Sequence, residues 1–176
     1  MTVARFKGII EALYLADLYA SDYLANYTFT EEELTLPMVR HILYAAPRNG
    51  LREEDATEEE IAKAKENAEN TLLQIKGYDD MVLLGDKHER DGTALESAEY
   101  TVSKGEMVKE FEEWCYDAAR KVGDKEIVRS DFGFHVMFFV GTAEADDDQK
   151  KAIAQTSLYN MLDEKAKEAQ FVLKEN

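Results

Sequence analysis

The stretch KEIVRSDFGFHVMFFVG, residues 125–141, decides how the chain folds. Two short apolar runs flank Ser130-Asp131-Phe132-Gly133, a turn-forming quartet, so the spacing predicts two strands joined by a tight turn. One histidine, His135, stands inside the second run. Far upstream, in MVRHILYAA (38–46), His41 is set among Val39, Ile42, Leu43 and Tyr44 in another strand-like segment opened by Pro37. A lone imidazole on an apolar strand is ordinarily a satisfied core group. Two of the chain's three histidines thus sit in strand-like apolar segments.

Helical periodicity fills the space around these strands. Phe6, Ile9, Leu13, Ala16, Ala20, Tyr23 and Tyr27 form a stripe, widened by Ile10 and Leu24, along a first helix. Thr30 with Glu33 and Thr57 with Glu60 have capping-box spacing. After the second box, Ile61, Ala64, Ala68, Leu72 and Ile75 share one helical face, with Gly77 expected as the C-terminal stop. One or two short helices are expected within 79–92, with His88 solvated at a helix end, and a strand over 97–107 turning at Gly105. A helix over 106–123 places Met107, Phe111, Trp114, Cys115 and Ala118 on one side and closes at Gly123. A long C-terminal helix opens on Asp146 to Asp148, where acidic side chains suit the helix dipole.

The order is helix, β-α-α-β-α-β-β, helix. That is an α+β pattern, with too few strands for a doubly wound sheet and no Gly-rich phosphate loop. A small four-stranded antiparallel sheet covered by helices is the expected fold. The organisation expected is an N-terminal helical segment over 1–36, a central domain over 37–141 and a C-terminal helix over 142–176. The two terminal helices are expected to pack on each other or, in a homodimer, on a second copy of the chain.

Charge and composition exclude several classes. With 37 Asp and Glu against 21 Lys and Arg, the net charge of −16 repels nucleic acid and anionic membrane surfaces. The single cysteine, Cys115, lies beside Trp114 on an apolar helix face and reads as an inert buried thiol. It leaves no intrachain disulfide and no multi-cysteine metal site, and His41, His88 and His135 show no ligand spacing, so no metal and no cofactor are expected. Glu11 and Asp17 interrupt the first helix, which is neither a secretory core nor a membrane span. The chain is expected to be cytosolic, or else to have been written without a leader.

Three motifs, VRHIL (39–43), SKGEMVKEFEEWCYDA (103–118) and SDFGFH (130–135), make the chain resemble the parvulin, or PpiC-type, peptidyl-prolyl cis/trans isomerases over about residues 37–140. The flanking helices further resemble PrsA- and SurA-type bacterial foldases. The resemblance implies a rotamase that assists folding of proline-containing clients, in an extracytoplasmic or membrane-anchored setting in a bacterium. It implies catalytic roles for His41 and His135 as paired histidines on neighbouring strands, for Ser130 as the hydroxyl bonded to them, and for Asp91, ending KHERD, as the family's Asp or Cys. It implies a proline pocket floored by Met107 and Phe111, with Phe132 at its rim and Glu99 where an apolar side chain usually lines it. Arg48 and Arg52 fall where phosphate-directed parvulins carry basic residues, but Glu53, Glu54 and Asp55 follow them, so phosphoserine-proline specificity is not expected. The alternative is a non-catalytic chaperone, or holdase, that keeps the fold and uses its groove and terminal helices to hold clients.

Overall fold

A computed structural model describes residues 2–47 and 56–174, the side chains of Val3, Ala4 and 169–174 excepted. Asn49-Gly50, a turn signal in the sequence, and the basic pair Arg48 and Arg52 lie outside the described residues. The chain forms two compact units, one made of residues 35–144 and the other of 1–34 with 145–176.

The larger unit is a four-stranded sheet in the order β2-β1-β4-β3, formed by β1 (Thr35–Ala45), β2 (Glu96–Thr101), β3 (Lys125–Ser130) and β4 (Gly133–Glu144), with every pair antiparallel. Side chains alternate across a pleated strand, so each of the two central strands divides its residues between two helical layers. Ile42, Tyr44, Phe134, Val136 and Phe138 face α3 (Glu58–Gln74) and α4 (Tyr78–Arg90), where Ala64, Ala68 and Met81 meet them. Val39, Met137 and Phe139, with Val128, face α5 (Lys109–Cys115) and its Phe111, Trp114 and Cys115. Ile42, Val39, Val136 and Met137 are wholly buried, each worth about 1.5–3 kcal/mol of apolar transfer. Small residues allow close approach under α4: a Cβ on Gly85 would lie 2.1 Å from Ser97 Oγ and 3.2 Å from Ile42 Cγ1.

Several elements differ from expectation for local reasons. The first strand starts at Thr35 and runs through Pro37, one residue beyond the last β1–β2 pair, Met38 with Thr101, so the missing N–H falls at the end of that ladder while the Pro37 carbonyl still accepts the Val102 N–H at 2.9 Å. The capping box at Thr57 and Glu60 is present and starts α3, but the helix ends at Gln74 without a left-handed glycine. Gly77 has φ of −167°, extended backbone, and serves as N-cap of α4, a single helix. The helix expected over 106–123 is confined to Lys109–Cys115. Asp117 ends it: its carboxylate accepts the Ala119 N–H at 2.9 Å and its carbonyl the Arg120 N–H at 2.9 Å. Arg120 then donates through Nε to the Trp114 carbonyl and lies over the Trp114 ring at 4.0 Å, a side-chain cap in place of a further turn.

In the smaller unit α1 (Val3–Ala25) packs against α6 (Asp147–Lys174), with Tyr23 Oη and Ser157 Oγ 2.9 Å apart. The short α2 (Glu31–Leu34) is started by the Thr30 and Glu33 box: the Glu33 carboxylate accepts the Thr30 N–H, and Thr30 Oγ1 accepts the Glu33 N–H. The α1 stripe is only partly covered, since Phe6, Ile9, Ile10 and Leu13 are each about half exposed or more.

The turn between β3 and β4 carries the tightest backbone contact. Gly133 has φ of +127°, and a Cβ there would sit 2.3 Å from the Tyr44 carbonyl oxygen and 2.8 Å from the Ala46 nitrogen. Replacement by alanine combines a disfavoured φ with a backbone collision. We expect Gly133→Ala to lower stability by about 2–4 kcal/mol. Urea unfolding followed by fluorescence of Trp114, the chain's one tryptophan, measures the loss.

Candidate functional site

The β1–β4 register pairs His41 with Met137 and Leu43 with His135, which makes the two histidines diagonal neighbours on the α5 face. Their Nδ1 atoms lie 3.3 Å apart, and the rings stack with centroids 5.5 Å apart and planes 25° off parallel. On the other side of His135, Nε2 is 2.8 Å from Ser130 Oγ, which also accepts the Phe132 N–H at 3.2 Å. The hairpin thus holds the serine against the imidazole. Phe111 of α5 stands at near right angles to both rings, with centroids 5.2 Å from His41 and 5.5 Å from His135.

Both imidazoles and Ser130 are buried. Burial penalises the imidazolium, so the pKa of His41 is pushed down to about 4, with the Arg40 charge adding to the effect. His135 is pushed down to about 3 by burial and then by His41. Near neutral pH the pair is uncharged and each ring carries one N–H.

Met107 and Tyr100 pack at the edge of the same apolar cluster as Phe111. Met107 precedes α5, whose N-cap is Val108, so it reaches the cluster from the incoming loop and not from the same helix face as Phe111. Phe132 is half-buried in the β3–β4 turn, its carbonyl accepting the Ala46 N–H.

Asp91 and Glu99 are placed elsewhere. Asp91 is the C-cap of α4 on the opposite layer, where its carboxylate accepts the Thr93 N–H at 3.0 Å; hydrogen bonding to the Thr93 side chain and then to this N–H lowers its pKa. Glu99 lies opposite Arg40 in the β1–β2 register, so the pleat turns it away from His41. It accepts a hydrogen bond from Tyr78 Oη at 2.5 Å. Tyr100 and Glu96, not Glu99, share the histidine face of β2, and sequence reasoning passed over both. The signal available was the alternation itself: Ala98 pairs with His41, so residues two away on either side flank it.

His88 is not solvated as expected. Its Nδ1 lies 2.6 Å from Tyr44 Oη, which is 2.6 Å from Thr71 Oγ1, and burial lowers its pKa. Cys115 is buried, and burial pushes its thiol up to about 12, which suits packing and not nucleophilic chemistry. Among the described residues no group of three or more His, Cys, Asp or Glu is placed to hold a metal ion.

A family profile described as "Rotamase: PPIC-type PPIASE domain" matches residues 41–141. The chain belongs to the PpiC-type peptidyl-prolyl isomerase family. The match begins on His41 and takes in Phe111, Ser130 and His135, so the whole histidine cluster lies inside the PpiC-type domain, whose four-stranded antiparallel sheet and helices have the parvulin-like α+β fold. Solved structures with similarity include a peptidylprolyl isomerase (PrsA) from Bacillus cereus, 21% identical, covering 85% of this chain and 55% of that one at a TM-score of 0.40. A structure from the pair of SurA-like chaperones PEB4 and Cj1289 of Campylobacter jejuni is 17% identical, with coverage of 99% and 72% and a TM-score of 0.37. The peptidyl-prolyl isomerase ESS1 from Candida albicans is 22% identical, with coverage of 77% and 76% and a TM-score of 0.38. The chain thus spans just over half the length of the Bacillus cereus protein. No curated protein matches the sequence.

The neutral pair in this PpiC-type domain has a pH signature. Unfolded histidines take up protons near 6.5, whereas the folded pair does so only near 3 to 4. Its contribution is therefore complete above pH 6.5 and is lost as pH falls toward 4, with a slope of up to about 1.4 kcal/mol per pH unit for each imidazole. Lowering pH from 6.5 to 5 should reduce the urea midpoint before carboxylates such as Asp91 titrate. His88, shifted the same way, adds to the slope. Replacing both members of the pair, His41→Phe with His135→Phe, should leave only the His88 share.

Proposed function

We propose that the chain catalyses rotation about X-Pro peptide bonds in unfolded or partly folded client polypeptides. His41, His135 and Ser130 form the polar floor in this reading, while Met107 and Phe111, with Phe132 at the rim, receive the proline ring. The observation that carries it is the neutral, hydrogen-bonded histidine pair beneath Phe111, inside the span matched by the isomerase family.

The chemistry asks for little more. Rotation is opposed by amide conjugation, a barrier of about 18–20 kcal/mol, and takes roughly tens to hundreds of seconds uncatalysed. No bond forms or breaks, so the reaction itself requires no cofactor. Catalysis comes from binding the twisted amide better than either planar isomer. An apolar pocket grips the ring, and fixed dipoles below it interact with a carbonyl that turns as conjugation is lost. Neutral imidazoles suit this role because they supply dipoles without a buried charge. Asp91 and Glu99, each hydrogen-bonded on the other layer, stand outside the proposed machinery.

A second reading keeps the domain as a non-catalytic holdase, and the apolar face left half-exposed on α1 favours it. In both readings the partner is an unfolded polypeptide. An extracytoplasmic, bacterial setting belongs to the same proposal through the foldase resemblance. No helix among the described residues is long and apolar enough to cross a membrane.

Isomerisation of short X-Pro peptides, run across several residues before proline, tests the proposal. Met107→Ala should lower kcat/KM by about 10-fold or more, since a single methylene in an apolar pocket is already worth about that much, while Asp91→Asn and Glu99→Gln stay within about twofold of wild type. A wild-type rate equal to buffer would sink the isomerase reading. Suppression of client aggregation that persists in Met107→Ala would favour the holdase.

A further inference from the structure

We infer that Glu96 is a positioning residue for the histidine pair: its carboxylate terminates the hydrogen-bond chain and thereby fixes which nitrogen of each imidazole carries the proton. The inference deepens the isomerase reading and rests on it for its functional meaning.

Each neutral imidazole has one N–H, so across the 3.3 Å between the two Nδ1 atoms one ring donates and the other accepts. If His41 donates, the His135 proton on its other nitrogen must point at Ser130 Oγ. That oxygen then accepts from both His135 and Phe132 N–H, and its own proton has no acceptor among the described residues. His41 Nε2 is left as a bare, buried lone pair facing a carboxylate. If His135 donates instead, Ser130 O–H donates to His135 Nε2 while still accepting from Phe132. His41 then carries its proton on Nε2. Every group but the last is satisfied, and the chain runs one way: Ser130 to His135 to His41.

The last group is what Glu96 addresses. His41 Nε2 is buried and has no hydrogen-bond partner, and the nearest carboxylate oxygen, Glu96 Oε2, lies 3.8 Å away. That separation exceeds a hydrogen bond, yet a bridging water or a small rotation of a side chain 40% exposed closes it. The other carboxylate oxygen, Oε1, accepts a short hydrogen bond from Tyr100 Oη. Tyr100 in turn lies beside the His41 ring at 5.4 Å, so its hydroxyl holds Glu96 at the imidazole edge. The β1–β2 register explains the arrangement, because Glu96 and Tyr100 are the two diagonal neighbours of His41 across Ala98. A carboxylate only accepts, and so it selects the direction in which His41 presents N–H to it.

Long-range proton–nitrogen NMR correlations on the 15N-labelled full chain read the tautomers without substrate. Wild type should show His41 protonated at Nε2 and His135 at Nδ1; the opposite assignment overturns the inference whatever any variant does. An ammonium only donates, so Glu96→Lys should exchange both assignments, moving the protons to His41 Nδ1 and His135 Nε2. A folded Glu96→Lys chain with the wild-type pattern also overturns it, since other groups would then set the direction. A chain that shows the expected tautomers and their reversal but fails to isomerise X-Pro peptides supports the role of Glu96 and refutes only the isomerase reading.

Discussion

The antiparallel register between β1 and β4 is the constraint on which the rest depends. Because side chains alternate, pairing His41 with Met137 and Leu43 with His135 puts both imidazoles on one face and Ile42, Tyr44, Val136 and Phe138 on the other. A slip of one residue in either strand would send one histidine into the α3 and α4 layer and leave the other without its partner. Gly133 helps hold this register, since only a residue without a side chain lets the hairpin turn pass so near the backbone of residues 44–46.

The sheet carries a polar network on each face, and the two differ in how they end. On the α3 and α4 side, Tyr44 Oη lies 2.6 Å from both Thr71 Oγ1 and His88 Nδ1, which are themselves 3.5 Å apart, a local solution to burying a hydroxyl among apolar side chains. On the α5 side, the chain from Ser130 through His135 to His41 stops at an unbonded nitrogen beside a half-exposed carboxylate. A closed network stabilises the fold. The network on the α5 side instead runs out toward the half-exposed Glu96 on the edge strand, and this difference separates the candidate site from the structural cluster behind it.

Burial keeps the pair neutral, and neutrality lets the site sit deep. An imidazolium at either position would meet the desolvation that pushes both pKa values far down, with the Arg40 charge adding to it at His41 and His41 adding to it at His135. The protein thus sets two histidines where neither titrates near neutral pH, which separates this arrangement from an acid–base site poised to exchange protons.

Much of the fold was legible because its signals are local. The capping box at Thr57, the turn at Ser130 to Gly133 and the helical stripes each depend on a few neighbouring residues, and together they gave the element order. The pairing of His41 with His135 and the contact with Ser130 were expected through the resemblance to parvulins. Where reading failed, the deciding contacts were ones that periodicity and motif position do not register. The helix expected to reach Gly123 stops at Cys115 because Asp117 takes the Ala119 and Arg120 N–H groups and Arg120 folds back onto Trp114. Tyr100 and Glu96 replace Glu99 beside His41 because one residue of β-register reverses a side chain's face. Asp91 was carried by motif position to the site, yet the end of α4 lies on the other layer. By itself, then, the sequence determined the order of the elements, the apolar character of the two central strands and the presence of a histidine on each. Only tertiary packing decided which carboxylate meets them, because that choice is made by strand register, a property of no single segment.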